Sequence, residues 1–137
     1  MKDEIDPNLI EAPYPLQAHL GMEMTAWSEG FSKVELPVSD FIGNRQGLPH
    51  GGIHATLLDS AMGYAGCYTG IPGQMRLALT LSMTVNFVGQ AQGTRLIAEA
   101  RKTGGGHKTF FAEGSCHDDL GNLLATATGV FRYRSTG

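Results

Sequence analysis

The chain has 137 residues, 42% of them hydrophobic, with 10 Lys and Arg against 13 Asp and Glu for a formal net charge of −3. That length matches one ordinary domain able to bury a real core, residues 1–137, and leaves no room for separate binding and catalytic domains. The basic residues are scattered rather than gathered into a stripe that would neutralise successive phosphates, which argues against nucleic acid as a partner.

Cys67 and Cys116 match neither a disulfide framework nor a zinc-knuckle spacing, so buried reduced thiols and a cytoplasmic setting are expected. The N-terminus, Met1-Lys2-Asp3-Glu4-Ile5-Asp6-Pro7, carries charges where a secretory leader needs an apolar core. No run approaches the ~18 apolar residues of a membrane span, so a soluble protein without membrane partners is expected.

In chain order, residues 1–15 read as a loosely packed entry segment, acidic and interrupted by Pro7, Pro13 and Pro15, with at most a helical turn between Asn8 and Ala12. Leu20 to Trp27 and Phe31 to Val38 favour extended structure around a Ser28-Glu29-Gly30 turn, predicting a first hairpin. Ser39 to Pro49 is rich in Gly, Asn and Pro and predicts an ordered functional loop. From Gly51 to about Tyr68, Ile53, Leu57, Ala61 and Ala65 stack on one helical face, while Ala55, Leu58 and Met62 carry the apolar surface around the cylinder, as in a buried helix. Gly63 and Gly66 weaken helix propensity but allow a sheet to approach. After the break at Gly70 to Gly73, residues 77–88 alternate with a period of two, the most secure strand in the chain. Thr94 to Lys102, Lys108 to His117 and Leu123 to Tyr133 complete four successive strands. Their short connections demand antiparallel neighbours, and the order of elements predicts an α+β fold with an antiparallel sheet wrapped around one long central helix.

Asp59 lies two turns into that helix, flanked by Ala55, Leu58 and Met62. An ionised carboxylate there costs several kcal/mol unless it is paired or hydrogen-bonded, and catalysis, a local hydrogen bond or a solvated groove would each account for it. His50-Gly51-Gly52 opens the helix without a Ser, Thr or Asp cap, leaving backbone N–H groups at the positive end of the dipole where a developing oxyanion would be stabilised. The two glycines equally suit a tight junction. Asn44 and His50 flank it, placed either to orient a water or substrate carbonyl or to hold the loop together.

The run Asn44-Arg45-Gln46-Gly47-Leu48-Pro49-His50-Gly51-Gly52, continued through Leu57-Leu58 to Asp59-Ser60-Ala61, resembles the signature of the hotdog-fold thioesterases of the PaaI-like, phenylacetate-degradation type. The resemblance covers about Leu20 to Tyr133. It implies an acyl-CoA thioesterase with Asp59 as general base or nucleophile, Gly51 as oxyanion donor, Asn44 positioning water or substrate and His50 supporting the carbonyl. It further implies a strand hydroxyl holding the water, Thr80 first and then Ser82 of the same strand parity. Gly52 falls among the residues that bind substrate or CoA, and His107 and Lys108, after Gly104-Gly105-Gly106, fall where relatives bind the CoA phosphates. Edge-to-edge pairing of subunits into a homodimer or homotetramer, with sites built from both chains, is likewise implied. Unpaired strand edges favour association independently.

No cofactor is expected, CoA being part of the substrate, because a thioester with a thiolate leaving group needs only a carboxylate and N–H donors. His54 departs from the family pattern. With His50 it makes an i, i+4 pair of the zinc-binding kind, but no third ligand is apparent, so no metal is expected and a pocket role is preferred. Nothing predicts an activated Cys67 thiol. A non-catalytic acyl-CoA or acyl-chain binding module is the alternative reading, and the Asp/His motif of hotdog hydratases is not found.

Overall fold

The computed structural model describes residues 4–135. A 3-10 turn at Pro7–Leu9 and a short helix α1, Pro15–Leu20, lead into strands β1, Glu23–Ser28, and β2, Phe31–Pro37. A second 3-10 turn, Asp40–Ile42, precedes the long helix α2, Gly51–Cys67, and then come β3, Ala78–Phe87, β4, Arg95–Gly105, β5, Thr109–Asp118, and β6, Leu123–Tyr133. The six strands form one antiparallel sheet in the order β1-β2-β4-β5-β6-β3. One face of the sheet holds α2, which touches all six strands. The α+β arrangement read from the sequence is therefore the one the chain adopts.

Leu57, Leu58, Ala61, Met62 and Ala65 of α2 are fully buried against Leu36, Leu96, Ala98, Phe110 and Phe131 of the sheet. The helix also hydrogen-bonds to the sheet's side chains. Trp27 Nε1 donates to the Tyr64 carbonyl at 2.8 Å and Tyr133 Oη to that of Gly66 at 2.6 Å. Both carbonyls belong to the last turn, where intrahelical partners run out. These aromatic donors replace the glycine cap that the sequence lacks at Tyr68.

Gly66 shows why the helix tolerates glycine. A Cβ there would overlap the Phe110 ring, which cannot retreat because it stacks on Phe131 at 4.9 Å and abuts Tyr133 at 4.8 Å. Gly66→Ala is expected to lose about 1–3 kcal/mol of stability by overpacking, although alanine is the better helix former. Urea unfolding of both proteins measures it, and an unchanged midpoint would contradict this packing.

Two sequence expectations need correction. Leu20 closes α1 rather than opening a strand: Pro15 sits at a first-turn position that favours helix entry, and Gly21 at φ +80° stops it. The N-terminal segment packs more closely than its prolines suggested. The Glu4 carbonyl accepts from Trp27 N at 3.0 Å, Leu9 is buried, and Tyr14 meets Ser60 of α2 with their hydroxyls 2.6 Å apart.

The alternation over residues 77–88 also breaks. Thr80 pairs with Phe131 and Ser82 with Val130, so Leu81 is an extra, bulged residue. Residues directly opposite in an antiparallel pair share a face. Ala78 and Thr80 thus face α2 with buried Tyr133 and Phe131, and beyond the bulge the odd residues Met83, Val85 and Phe87 do so, opposite Gly129, Ala127 and Ala125. Among the described residues β3 pairs only with β6, leaving its other edge open with Leu79 and Leu81 54% and 57% exposed.

Candidate active site

Thr80 and Asp59 come together. The Thr80 hydroxyl donates to Asp59 Oδ1 at 2.6 Å, joining the edge strand to the open flank of α2. Asp59 is half-buried rather than sealed in the apolar seam. The charge cost inferred from its neighbours is met by this hydrogen bond and by access to water. Helical geometry explains the escape, because Leu58 and Met62 face the sheet while Thr56, Asp59, Ser60 and Gly63 turn outward. They line a groove of about 490 Å³ bounded by the N-terminal segment through Glu11 and Tyr14 and by β3 through Ala78 and Thr80. Burial raises the Tyr14 phenol above its ordinary pKa, its hydrogen bond with Ser60 works against this, and the nearby Asp59 carboxylate adds to it.

Ser82, assigned the same parity as Thr80, lies on the other face of the sheet. The Leu81 bulge separates the two hydroxyls, since a one-residue shift of register turns every following side chain over. Its proposed contact with the substrate is therefore withdrawn.

The helix N-terminus forms a second cluster. His50 is the N-cap, and its Nδ1 accepts from Gly52 N at 2.8 Å. The helix has no Ser, Thr or Asp cap, but His50 takes that role, so the Gly52 N–H, expected to be free, is already engaged. The Gly51 N–H takes part in none of the hydrogen bonds of the described residues. Asn44 Oδ1 accepts from Gln46 N at 2.8 Å and Leu48 N at 3.1 Å, so the side chain folds the loop that delivers His50. Phe87 packs on Gly51.

These two clusters are apart within one chain. Eight residues of helix separate Gly51 from Asp59, about 12 Å at 1.5 Å per residue. His107 and Lys108 are exposed at the β4–β5 turn, outside the groove lining.

His54 is 5% exposed, its ring 6.3 Å from that of Phe87, with Nδ1 unpartnered, and burial lowers its pKa so that the neutral imidazole is favoured. No group of three or more His, Cys, Asp or Glu side chains able to hold a metal occurs among the described residues. Both cysteines are free and buried, and burial pushes Cys67 up to about 11 and Cys116 to about 12, away from a reactive thiolate. No helix of the described residues is long and apolar enough to cross a membrane.

Sequence inspection missed the buried carboxylate of Asp118. It accepts from the backbone N–H groups of Gln92, Gly93, Leu120 and Asn122 and from the Asn122 amide, at 2.8–3.1 Å. Neighbouring Asp119 binds Thr94 and Arg95 N–H groups. The Asp-Asp-Leu-Gly-Asn run was legible as a turn, but not as the tie between two loops distant in sequence.

An antiparallel sheet wrapped around one long helix places the chain in the hotdog class. No protein-family profile matches the chain. A curated Archaeoglobus fulgidus protein named "Putative esterase" is 31% identical over 103 residues, covering 74% of this chain and 64% of its own length. The chain thus matches less than two thirds of that relative. Among solved structures, a thioesterase family protein from Silicibacter pomeroyi superposes with a TM-score of 0.77 at 26% identity, covering 88% of this chain and 89% of the other. A Bacillus halodurans protein crystallised with CoA gives 0.75 at 30%, covering 89% and 80%. The PaaI protein of the E. coli phenylacetic acid degradation operon shares the fold, with a TM-score of 0.76 at 20% identity over 88% and 84% of the two chains. The chain adopts the hotdog fold and is similar in sequence to a thioesterase family protein of that fold.

Proposed function

We propose that this protein hydrolyses acyl-CoA thioesters, with Asp59 activating water or attacking the carbonyl directly. The observation that carries the reading is the Thr80 hydroxyl, 2.6 Å from Asp59 Oδ1 at the edge of a groove. It fixes one carboxylate oxygen and leaves Oδ2 to face the reacting group. Support comes from the Silicibacter thioesterase relative and from the Bacillus relative that carries CoA. The reaction needs no cofactor, because the leaving thiolate is weakly basic and N–H donors suffice for the oxyanion.

The Gly51 N–H, about 12 Å from the Asp59 position along the helix, is too distant for one carbonyl to contact both groups of a single chain. A second copy is therefore part of the proposal. Pairing across the open β3 edge would cover Leu79 and Leu81 and bring one protomer's Gly51, flanked by His50 and Asn44, to its partner's Asp59. The assembly is then a homodimer at least.

Thiol release from a panel of aryl- and medium-chain acyl-CoAs tests the function. Turnover is expected for at least one, and CoA-ester binding without turnover on any member would favour a binding module instead. Thr80→Val is expected to reduce kcat roughly tenfold or more at nearly constant KM, the loss of one hydrogen bond to a charged group, and Thr80→Ser to restore most of it.

A further inference from the structure

The groove beside Asp59 is lined by Arg76, which lies over the Tyr133 ring, and Lys102 approaches the same ring from outside the lining; neither has an ion pair among the described residues. The Arg76 guanidinium is 3.4 Å from the centroid of the ring and the Lys102 ammonium 5.9 Å from it. The ion pairs of the described residues join Lys33 to Glu99 and Arg95 to Glu35. The ring's face attracts both cations while leaving the guanidinium's in-plane N–H groups available to an acceptor.

Two elements measure the distance from the Arg76 end of the groove to the Asp59 carboxylate. Along α2, Asp59 to Cys67, which also lines the groove, is eight residues or about 12 Å. Thr80 to Arg76 is four residues, at most about 13 Å where the chain is extended. Between them the walls are mostly apolar, with Gly63, Phe131, Leu77 and Ala78 beside Tyr64. Such walls suit methylenes better than the successive amides of the CoA pantetheine arm, most of which would be desolvated there. Glu11 is the other acid in the lining, and burial raises its pKa toward the neutral form, which lessens its opposition to an anion.

We propose that this groove receives the acyl group and that Arg76 and Lys102 bind a carboxylate at its distal end, so that the substrate class is an ω-carboxyacyl-CoA of roughly six to ten carbons, the span that about 12 Å allows. The assignment rests on the thioesterase reading and deepens it.

The test compares octanoyl-CoA with its ω-carboxy counterpart. Wild-type kcat/KM is expected to favour the ω-carboxy ester by roughly 10- to 100-fold, and the ratio to collapse in Arg76→Gln and decline in Lys102→Gln. No preference in the wild type overturns the proposal. So does an equal loss on both esters in Arg76→Gln with weakened inhibition by free CoA, which would put the cations on CoA phosphates. Calorimetric titration of both esters into Asp59→Asn separates this from failure of the catalytic reading. Tighter binding of the ω-carboxy ester supports the subsite even where the wild type turns over neither, and equal affinities refute it.

Discussion

Asp59→Asn is expected to lower kcat on any accepted acyl-CoA by about 10³-fold or more, while its circular dichroism and its affinity for CoA esters stay close to wild type. The amide keeps an oxygen for the Thr80 hydroxyl, so the local geometry survives, but it neither takes a proton from water nor attacks a carbonyl. General-base and nucleophilic routes both pass through this carboxylate, so both predict the same collapse. Asp59 is half-exposed on the flank of α2 rather than in the core, so loss of activity is separable from loss of fold. Retention of a tenth of wild-type turnover in the Asn variant would remove Asp59 from the chemistry.

Asp118→Ala should give the largest loss of stability, a fall in Tm of about 10 °C or more at neutral pH with the groove beside Asp59 intact. Four backbone N–H groups and one side-chain amide converge on this fully buried carboxylate, and truncation leaves them without acceptors. The Asn122 amide contributes most to holding its pKa well below the usual carboxylate range. Burial acts in the opposite sense, and the N–H groups of Gln92, Asn122 and Gly93 follow. A carboxyl depressed in the folded state stabilises above its unfolded pKa of about 3.9, and that contribution is lost as pH falls toward the folded value. The Tm gap between wild type and variant should accordingly be full at pH 6–7 and narrow steadily below about pH 4. A gap that stayed constant to pH 2 would show that the charge of Asp118 is not what matters.

How much could be read from the chain depended on whether the determinant was local. α2 declared itself because Ile53, Leu57, Ala61 and Ala65 repeat at helical spacing, and the four later strands because short Gly-rich turns leave no room for parallel crossovers. Asp59 stood out as a charge in an apolar helix, and Thr80 followed from resemblance to relatives. What escaped depended on partners far along the sequence or on one-residue details of the backbone. His50 looks like a poor cap in a list of preferred residues, yet its Nδ1 reaches Gly52 N. Tyr14 belongs to a segment whose prolines suggested looseness, and only its contact with Ser60, 46 positions away, shows it as a wall of the groove. Asp118 is one acid of a turn until Gln92 and Gly93 are brought to it.

The Leu81 bulge makes β3 two strands of opposite phase laid end to end. On its first half the even positions address the helix, on its second half the odd ones, and Thr80, the hydrogen-bond partner of Asp59, sits on the last position before the switch. What aims that hydroxyl at Asp59 is therefore a count of residues rather than any property of Leu81, whose side chain is largely in solvent. Along this stretch spacing is the quantity under constraint. Nearly any side chain can occupy the bulge, whereas one residue more or fewer would turn one half of the strand over relative to the other. Relatives should therefore be aligned here by strand phase, because a column-by-column match would put Ser82 where only Thr80 reaches Asp59.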